Sequence, residues 1–410
     1  MDIFGVIDKK RKGQALSKEE LEFAFMGYLN KEVEDYQMSS LLMAIVINGM
    51  TDEETYDLTD LFLNSGIVLK DGIIDGIRVD KHSTGGIGDK TSLIIGPILA
   101  SLGLKMGKLS GKGLGITGGT IDKLNSIPGF NTHLSMQEFV DSVNKVGFVE
   151  CEQTDEFTPL DKVIYSLRSV SGTVESIPLI AASIMSKKLA IGAKYILIDI
   201  KVGEGALLKT KEDANELANI LVKIAEHYDK KVIPVLTDMS VPLGDNVGNA
   251  LEVIEAMDVL KGKENDLSKL CISLASILYK EANNITIEEA KTKVIDSLNK
   301  GLAYKKFTEF IENQGGRISD LDVAKYIKPV KTNVPGIIKD ISAQKTGELV
   351  LKLGGGRIKK DDEINYGVGI RLNKHIGDKI KHDDILCYVY QDDDTDYTNE
   401  ALKIFTIDNN

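Results

Sequence analysis

Cysteine is scarce in this chain: Cys151, Cys271 and Cys387 are the only three, and they lie far apart. They have neither the spacing of a metal site nor the pattern of a disulfide framework, so a reducing, cytoplasmic setting is expected. Long hydrophobic runs are also missing. No stretch reaches the roughly 18 apolar residues of a membrane span. The N-terminal MDIFGVIDKKRKGQ lacks the apolar centre of a signal peptide. Basic charge is in deficit, with 50 Lys and Arg against 62 Asp and Glu and a net charge of −12. That balance argues against a nucleic-acid binder, which neutralises phosphates with Lys and Arg. An anionic substrate would need local positive charge that overrides the global field.

What remains is an ordinary globular composition, 42% apolar and 27% charged over 410 residues, enough for two or three domains. The first 65 residues read as helices. Ser17 and Glu20 form one capping box, and Thr51 and Glu54 another. Between them SSLLMAIVINGM is apolar nearly all round, which predicts a buried helix. The texture then changes to strand, glycine loop, helix, twice over: IRVD (77–80) and LKMGKLS (104–110) each lead into a glycine-rich loop. A buried strand (194–200), a third glycine loop, a long helix (about 210–228) and the strand KVIPVL (231–236) continue the pattern, which predicts a parallel α/β sheet. Helices are expected over about 247–313, and short strands with Gly and Asp turns from about 333.

The two glycine loops carry the chemistry. In KHSTGGIGDKTS (81–92), Gly85, Gly86 and Gly88 let backbone N–H groups approach an anion. The following helix adds its N-terminal dipole. Lys81 adds charge, and Ser83, Thr84, Thr91 and Ser92 add hydroxyls. This is equipment for free phosphate. It is not a Walker loop, because Asp89 separates Gly88 from Lys90, and no G-x-G-x-x-G opens the helix. SGKGLGITGGT (110–120) repeats the arrangement, with Ser110 and Thr120 at its ends and Lys108 and Lys112 for charge. Two such loops on adjacent strands can hold one tetrahedral anion from two sides.

DKHSTGGIGDKTSL, SGKGLGITGGTIDKLNSIPGF, YSLRSVSGTVESIPLIAASIMSKK and DIKVGEGA, in this order, resemble the pyrimidine nucleoside phosphorylases, a family that includes thymidine phosphorylase. The resemblance extends over essentially the whole chain, PLGDNVGNALEVIEA (242–256) included. It implies an α/β fold: a helical domain, a large α/β domain with a mixed, mainly parallel sheet, and a small β-rich C-terminal domain. Residues 1–66 and about 160–193 would form the helical, base-binding domain, and about 72–158 and 194–330 the phosphate-binding α/β domain. An α+β domain would follow over about 333–410. Lys81, Ser83, Ser92, Lys108, Ser110 and Thr120 match phosphate-binding positions. Arg168, Ser183 and Lys187 match positions that hold the base, and Ser183 and Lys187 share a helix face. His82 matches a histidine near a base carbonyl, as general acid or as a positioning hydrogen bond. Arg168 and Lys187 would stabilise charge on the departing base. The implied reaction is reversible phosphorolysis of uridine, thymidine or deoxyuridine, with inorganic phosphate as co-substrate, no organic cofactor, and domain closure in a homodimer. Lys at position 108 goes with the members that accept both uridine and thymidine. The resemblance also implies a potassium site at Gly88, Lys90, Leu243, Asn246 and Glu255, although Lys90 replaces a small residue and its ammonium competes with the ion.

Other departures gather around the matched residues. The family's SGRGLGHTGGT has Lys112 and Ile116 here, a following glutamate is Asn125, an Asp after the base-holding Arg is Ser169, and VGSGAF is VGEGAL (202–207). Lysine lacks the bidentate fork of arginine, and Ile116 removes a polar group from a loop expected near phosphate and sugar. Two readings stay open: an active phosphorylase with a retuned pocket, or a divergent paralogue that binds nucleoside or phosphate with weak turnover. Retention of Lys81, His82, Arg168 and Lys187 favours the enzyme. A transferase of the anthranilate phosphoribosyl type would need a magnesium–diphosphate site, and no acidic motif for one is evident.

Overall fold

The computed structural model describes residues 1–113, 115–359 and 362–408. Four helices open the chain: α1 (Ile3–Arg11), α2 (Lys18–Leu29), α3 (Asp35–Asn48) and α4 (Asp52–Asn64). Both expected capping boxes form, at Ser17 and Thr51. The all-apolar α3 is buried on one side only. Met38, Leu41, Leu42 and Ile45 enter the helical core, while Tyr36 and Ile47 stay 70% and 73% exposed.

The central unit follows as β1 (Val79–Ser83), α5 (Thr91–Ser101), β2 (Met106–Ser110), α6 (Thr120–Asn125), α7 (Met136–Val146) and β3 (Phe148–Glu152). After α8 (Pro159–Ser171) and α9 (Ile177–Ala190) come β4 (Tyr195–Val202), α10 (Lys211–His227) and β5 (Lys231–Asp238). β1 pairs with β4, β4 with β5 and β2 with β3, all in parallel, and a parallel bridge between Arg78 and Lys105 joins the two groups. The strands therefore run β3-β2-β1-β4-β5. Their order reverses between β1 and β4, and crevices at such switch points, outside the carboxyl ends of the strands, are where α/β sheets take ligands. Both glycine loops leave from those ends.

The short strand β6 (Asn246–Val247) precedes four helices, α11 (Asn249–Leu260), α12 (Asp266–Asn283), α13 (Ile287–Asn299) and α14 (Leu302–Asn313). The C-terminal part contains β7 (Tyr326–Lys331), β8 (Gly336–Ile341), α15 (Ala343–Lys352), β9 (Gly369–Leu372), β10 (Lys379–Ile380), β11 (Ile385–Gln391), α16 (Thr398–Leu402) and β12 (Phe405–Asp408). Its two sheets, β6-β9-β11-β7 and β10-β8-β12, are antiparallel. It begins earlier than the sequence suggested, because YIKPVK forms β7. Pro329 is tolerated there because β7 is an edge strand. Among the described residues no helix is long and apolar enough to cross a membrane.

α9 belongs to two cores. Its Leu179 and Ala182 pack with α1–α4 and with Leu160 and Ile164 of α8. Its Ile180, Ile184, Met185 and Leu189 pack with the β4 and α10 side of the sheet. Beneath the phosphate loop, α5 is apolar all round and almost wholly buried. Glycine in a helix interior ordinarily costs about 1 kcal/mol against alanine. At Gly96 the sign reverses, because an added Cβ would lie 2.4 Å from a Phe148 ring carbon. Gly96→Ala is expected to destabilise the fold by about 1–3 kcal/mol, the range for overpacking. Urea denaturation of the variant against the parent checks this.

Candidate active site

β1 delivers Lys81, His82 and Ser83 to the switch point. Lys81 is fully buried, donates to the Thr91 hydroxyl and lies 3.6 Å from the Asp199 carboxylate. The Ser83 hydroxyl donates to Asp89, which also accepts 2.6 Å from the Thr91 hydroxyl. Burial alone would raise the Asp89 carboxyl. The charges of Lys81 and Lys201 and the bonds from Ser83 and Thr91 outweigh it and hold the group well below the usual range. Ser92 sits buried in the first turn of α5, where the helix N-terminus faces the loop.

β2 brings Lys108 and Ser110 alongside. Lys108 is buried 3.9 Å from Glu150 of β3, and burial and the Lys188 charge lower its affinity for a proton. The Ser110 hydroxyl donates 2.6 Å to Glu150. The loop beyond is closed by its glycines: a Cβ on Gly119 would lie 2.2 Å from the Gly113 nitrogen. That contact returns the chain to its starting point, so Thr120, the first residue of α6, stands next to the loop that Ser110 opens. Asp122 fixes the loop by accepting from Gly113 N at 2.7 Å, and Arg357 of the C-terminal part donates to the same carboxylate at 2.7 Å.

The residues expected to hold the base come from α8 and α9. Lys187 donates 2.8 Å to Ser183, one turn earlier, and 2.5 Å to Asp161 of α8. Arg168 is 1% exposed and donates to the carbonyls of Thr173, Val174 and Leu179 at 3.1, 2.8 and 3.2 Å. Burial brings its guanidinium down to about 10, against the pull of Asp161. A guanidinium has five donors, so two remain for a ligand. Next to Lys187, Lys188 is fully buried and paired at 2.7 Å with Asp80 of β1. That ion pair ties α9 to the strand of Lys81, His82 and Ser83.

Sequence reasoning overlooked the acids that hold this constellation: Asp80, Glu150, Asp161 and Asp199. The signal was present in VDKHS and ILIDIKV, where charged residues interrupt strands that are otherwise buried. Several buried polar atoms here have no hydrogen-bond partner, among them His82 Nδ1, Glu150 Oε2 and Asp161 Oδ1. Such atoms are few in native folds, and a cluster of them marks a place for a polar ligand.

The description "Glycosyl transferase family, helical bundle domain" matches residues 5–66, and "Glycosyl transferase family, a/b domain" matches residues 75–304. "Pyrimidine nucleoside phosphorylase C-terminal domain" matches residues 337–406. The chain is 44% identical over 417 residues to a pyrimidine-nucleoside phosphorylase of Staphylococcus haemolyticus, covering 98% of this chain and 96% of that one. It is 44% identical over 398 residues to that of Geobacillus stearothermophilus, covering 95% and 92%. The chain belongs to the pyrimidine-nucleoside phosphorylase family. Among solved structures, anthranilate phosphoribosyltransferase from Thermus thermophilus shares the fold, with a TM-score of 0.60 at 16% identity over 75% of this chain and 99% of that one.

Within this phosphorylase family the departures of the chain take on a location. Ile116 does not line the anion loops alone; it packs on the C-terminal core, with its Cβ 3.0 Å from where a Cβ on Gly347 would stand. Glu204 accepts 2.8 Å from Ser342, the N-cap of α15. Lys112 pairs with Glu152 at 3.2 Å, and Thr132 bonds both Glu152 and Asn125. Ser169 bonds its own helix at Ser166, while three carbonyls hold Arg168 without the family's Asp. The five residues matched to potassium also meet, but the cation among them is Lys90 itself, whose Nζ donates to Leu243 O, Asn246 O and Glu255 Oε2. The set therefore does not fit a potassium ion. Among the described residues no group of three or more His, Cys, Asp or Glu could hold a metal.

His82 is half-buried, with its Nδ1 fully enclosed. Burial, then the charges of Lys188, Lys108, Lys187 and Lys81, hold its imidazole well below 6.5. Below that value the unfolded chain takes a proton at His82 that the folded chain refuses, so stability falls as pH drops. His82→Gln is expected to flatten the loss of stability between pH 7 and 5. Urea unfolding across that range checks it, and an imidazole NMR titration should show the His82 midpoint below that of a free imidazole.

Proposed function

We propose that this chain catalyses the reversible phosphorolysis of pyrimidine nucleosides, uridine, thymidine and deoxyuridine, to free base and (deoxy)ribose 1-phosphate. One observation carries the reading. The buried Lys188–Asp80 pair ties α9, which carries Ser183 and Lys187, to β1, which carries Lys81, His82 and Ser83, and this supports one site shared by the two elements. Phosphate would sit between the two glycine loops, held by Lys81, Ser83, Ser92, Lys108, Ser110 and Thr120. Their cations are loosely paired, at 3.6 Å for Lys81 with Asp199 and 3.9 Å for Lys108 with Glu150, which leaves donors for an incoming anion.

A phosphate oxygen forms a bond to the anomeric carbon as the bond to the ring nitrogen breaks, and the electron pair leaves with the base. The sugar passes through an oxocarbenium-like state, as in glycoside cleavage. Charge on the departing ring meets Arg168 and Lys187, which are already in place. His82 serves as a neutral N–H donor to a ring carbonyl, because its surroundings oppose the imidazolium. Closure of the helical part (1–66 and about 160–193) over the α/β part would exclude water. The outer face of α3, with Tyr36, Met43 and Ile47 exposed near a 77% exposed Phe4, supports a homodimer of this cytoplasmic enzyme.

An assay of uridine, thymidine, deoxyuridine and cytidine, with and without phosphate, tests the reading. Uracil and thymine are expected only with phosphate. If no pyrimidine nucleoside is cleaved at saturating phosphate, the chain is a binding paralogue instead. Lys187→Ala is expected to lower kcat about 10²–10³-fold, as for loss of a charge-stabilising donor, while circular dichroism stays native. Near-normal turnover would break the base-site assignment.

A further inference from the structure

Lys90 ends the phosphate loop and stands at the N-cap position of α5, with a side chain that solvent does not reach. Its Nζ donates to the carbonyls of Leu243 and Asn246, both at 2.8 Å, and to Glu255 Oε2 at 2.7 Å. An ammonium has three protons to donate, and all three are used. Glu255 is equally occupied: Oε1 accepts from Asp245 N at 2.8 Å and Asn265 Nδ2 at 3.1 Å, and Oε2 also accepts from Asn246 N at 2.9 Å. Gly88 closes the back of this nest. It has a φ of +78°, and a Cβ there would lie 2.7 Å from the Leu243 oxygen. Two backbone carbonyls and one carboxylate, buried and converging, are the oxygen set that replaces the water shell of a monovalent cation.

We propose that the Lys90 ammonium is a built-in, covalently tethered replacement for a monovalent metal ion, so that this protein needs no potassium. The nest ties three pieces together. Lys90 begins the helix behind the phosphate loop, Glu255 lies on α11, and Leu243 to Asn246 form the turn entering β6, which pairs with β9 of the C-terminal sheet. Asp245 in that turn pairs with Lys263 at 2.7 Å and His375 at 2.9 Å. A charge in the nest therefore sets where the α5 N-terminus lies, and Lys90 acts as a positioning residue. A second cation cannot enter, because its oxygens are taken and a like charge sits among them.

Only the activity arm of the test rests on the phosphorylase reading. Protein exchanged into tetramethylammonium chloride is titrated with potassium chloride at constant ionic strength. The expected result is a Tm that moves by less than about 1 °C, with no saturable ligand stabilisation, and a phosphate-dependent kcat/KM that changes less than about twofold. A saturable, potassium-specific rise in Tm overturns the proposal. Lys90→Thr opens the nest. In tetramethylammonium it should lose several degrees of Tm and about tenfold in kcat/KM, and potassium or ammonium, not lithium, should restore both. A folded Lys90→Thr indifferent to all three ions also overturns it. If Lys90→Thr does not fold, the titration of the unaltered protein decides alone. If that protein cleaves no nucleoside, the phosphorylase reading fails while the Tm measurements still decide the cation question.

Discussion

The site depends on one buried ion pair. Lys188 and Asp80 meet at 2.7 Å with neither side chain exposed. Burying two charges is expensive, and removing one partner of such a pair typically costs about 3–5 kcal/mol because the other is left stranded. Asp80 immediately precedes the strand residues proposed to hold phosphate, and Lys188 immediately follows Lys187, the last residue of its helix proposed to hold the base. The separation of the two half-sites is thereby fixed to within one residue of a covalent chain on each side. Lys187 in turn orients Ser183 and is itself held by Asp161.

Around this pair the sheet carries a balanced field of buried charge. Lys201 pairs with Asp199 at 2.8 Å, and the Thr237 hydroxyl donates to the same carboxylate at 2.5 Å. Asp80, Glu150 and Asp199 lie in the strands, where register holds them, and Lys81 and Lys108, which are loosely paired, lie on the same strands. A dianion arriving there meets donors that need little rearrangement, which is how electrostatic preorganisation lowers a barrier. The same field adds to burial in lowering the basicity of His82, whose charged neighbours include the ammonium groups of Lys188, Lys108, Lys187 and Lys81.

Much of this was legible in the sequence because it is local. Strand, glycine loop and helix sit together in the chain, and capping boxes span four residues. The acids were not legible because their partners are distant: Asp80 meets a residue on α9, and Asp161 meets another. α3 misled because an apolar outer face looks the same in sequence whether a core or another surface covers it. Ile116 was expected near phosphate and sugar. It also packs against the C-terminal core, which presents Gly347 opposite it. β7 was missed because proline and alternating lysines disguise an edge strand.

The contact of Gly113 with Gly119 turns the second loop into a closed ring. A ring fastened at its own neck keeps its shape through backbone contact, not through the side chains around its rim. Substitutions at those rim positions are then expected to leave Ser110 and Thr120 where they are. Ile116 packs against the C-terminal core, and Gly115 donates 2.8 Å to the Arg357 carbonyl. One side of the loop thus serves as a buttress for the C-terminal part, while Ser110 and Thr120 stand at its neck.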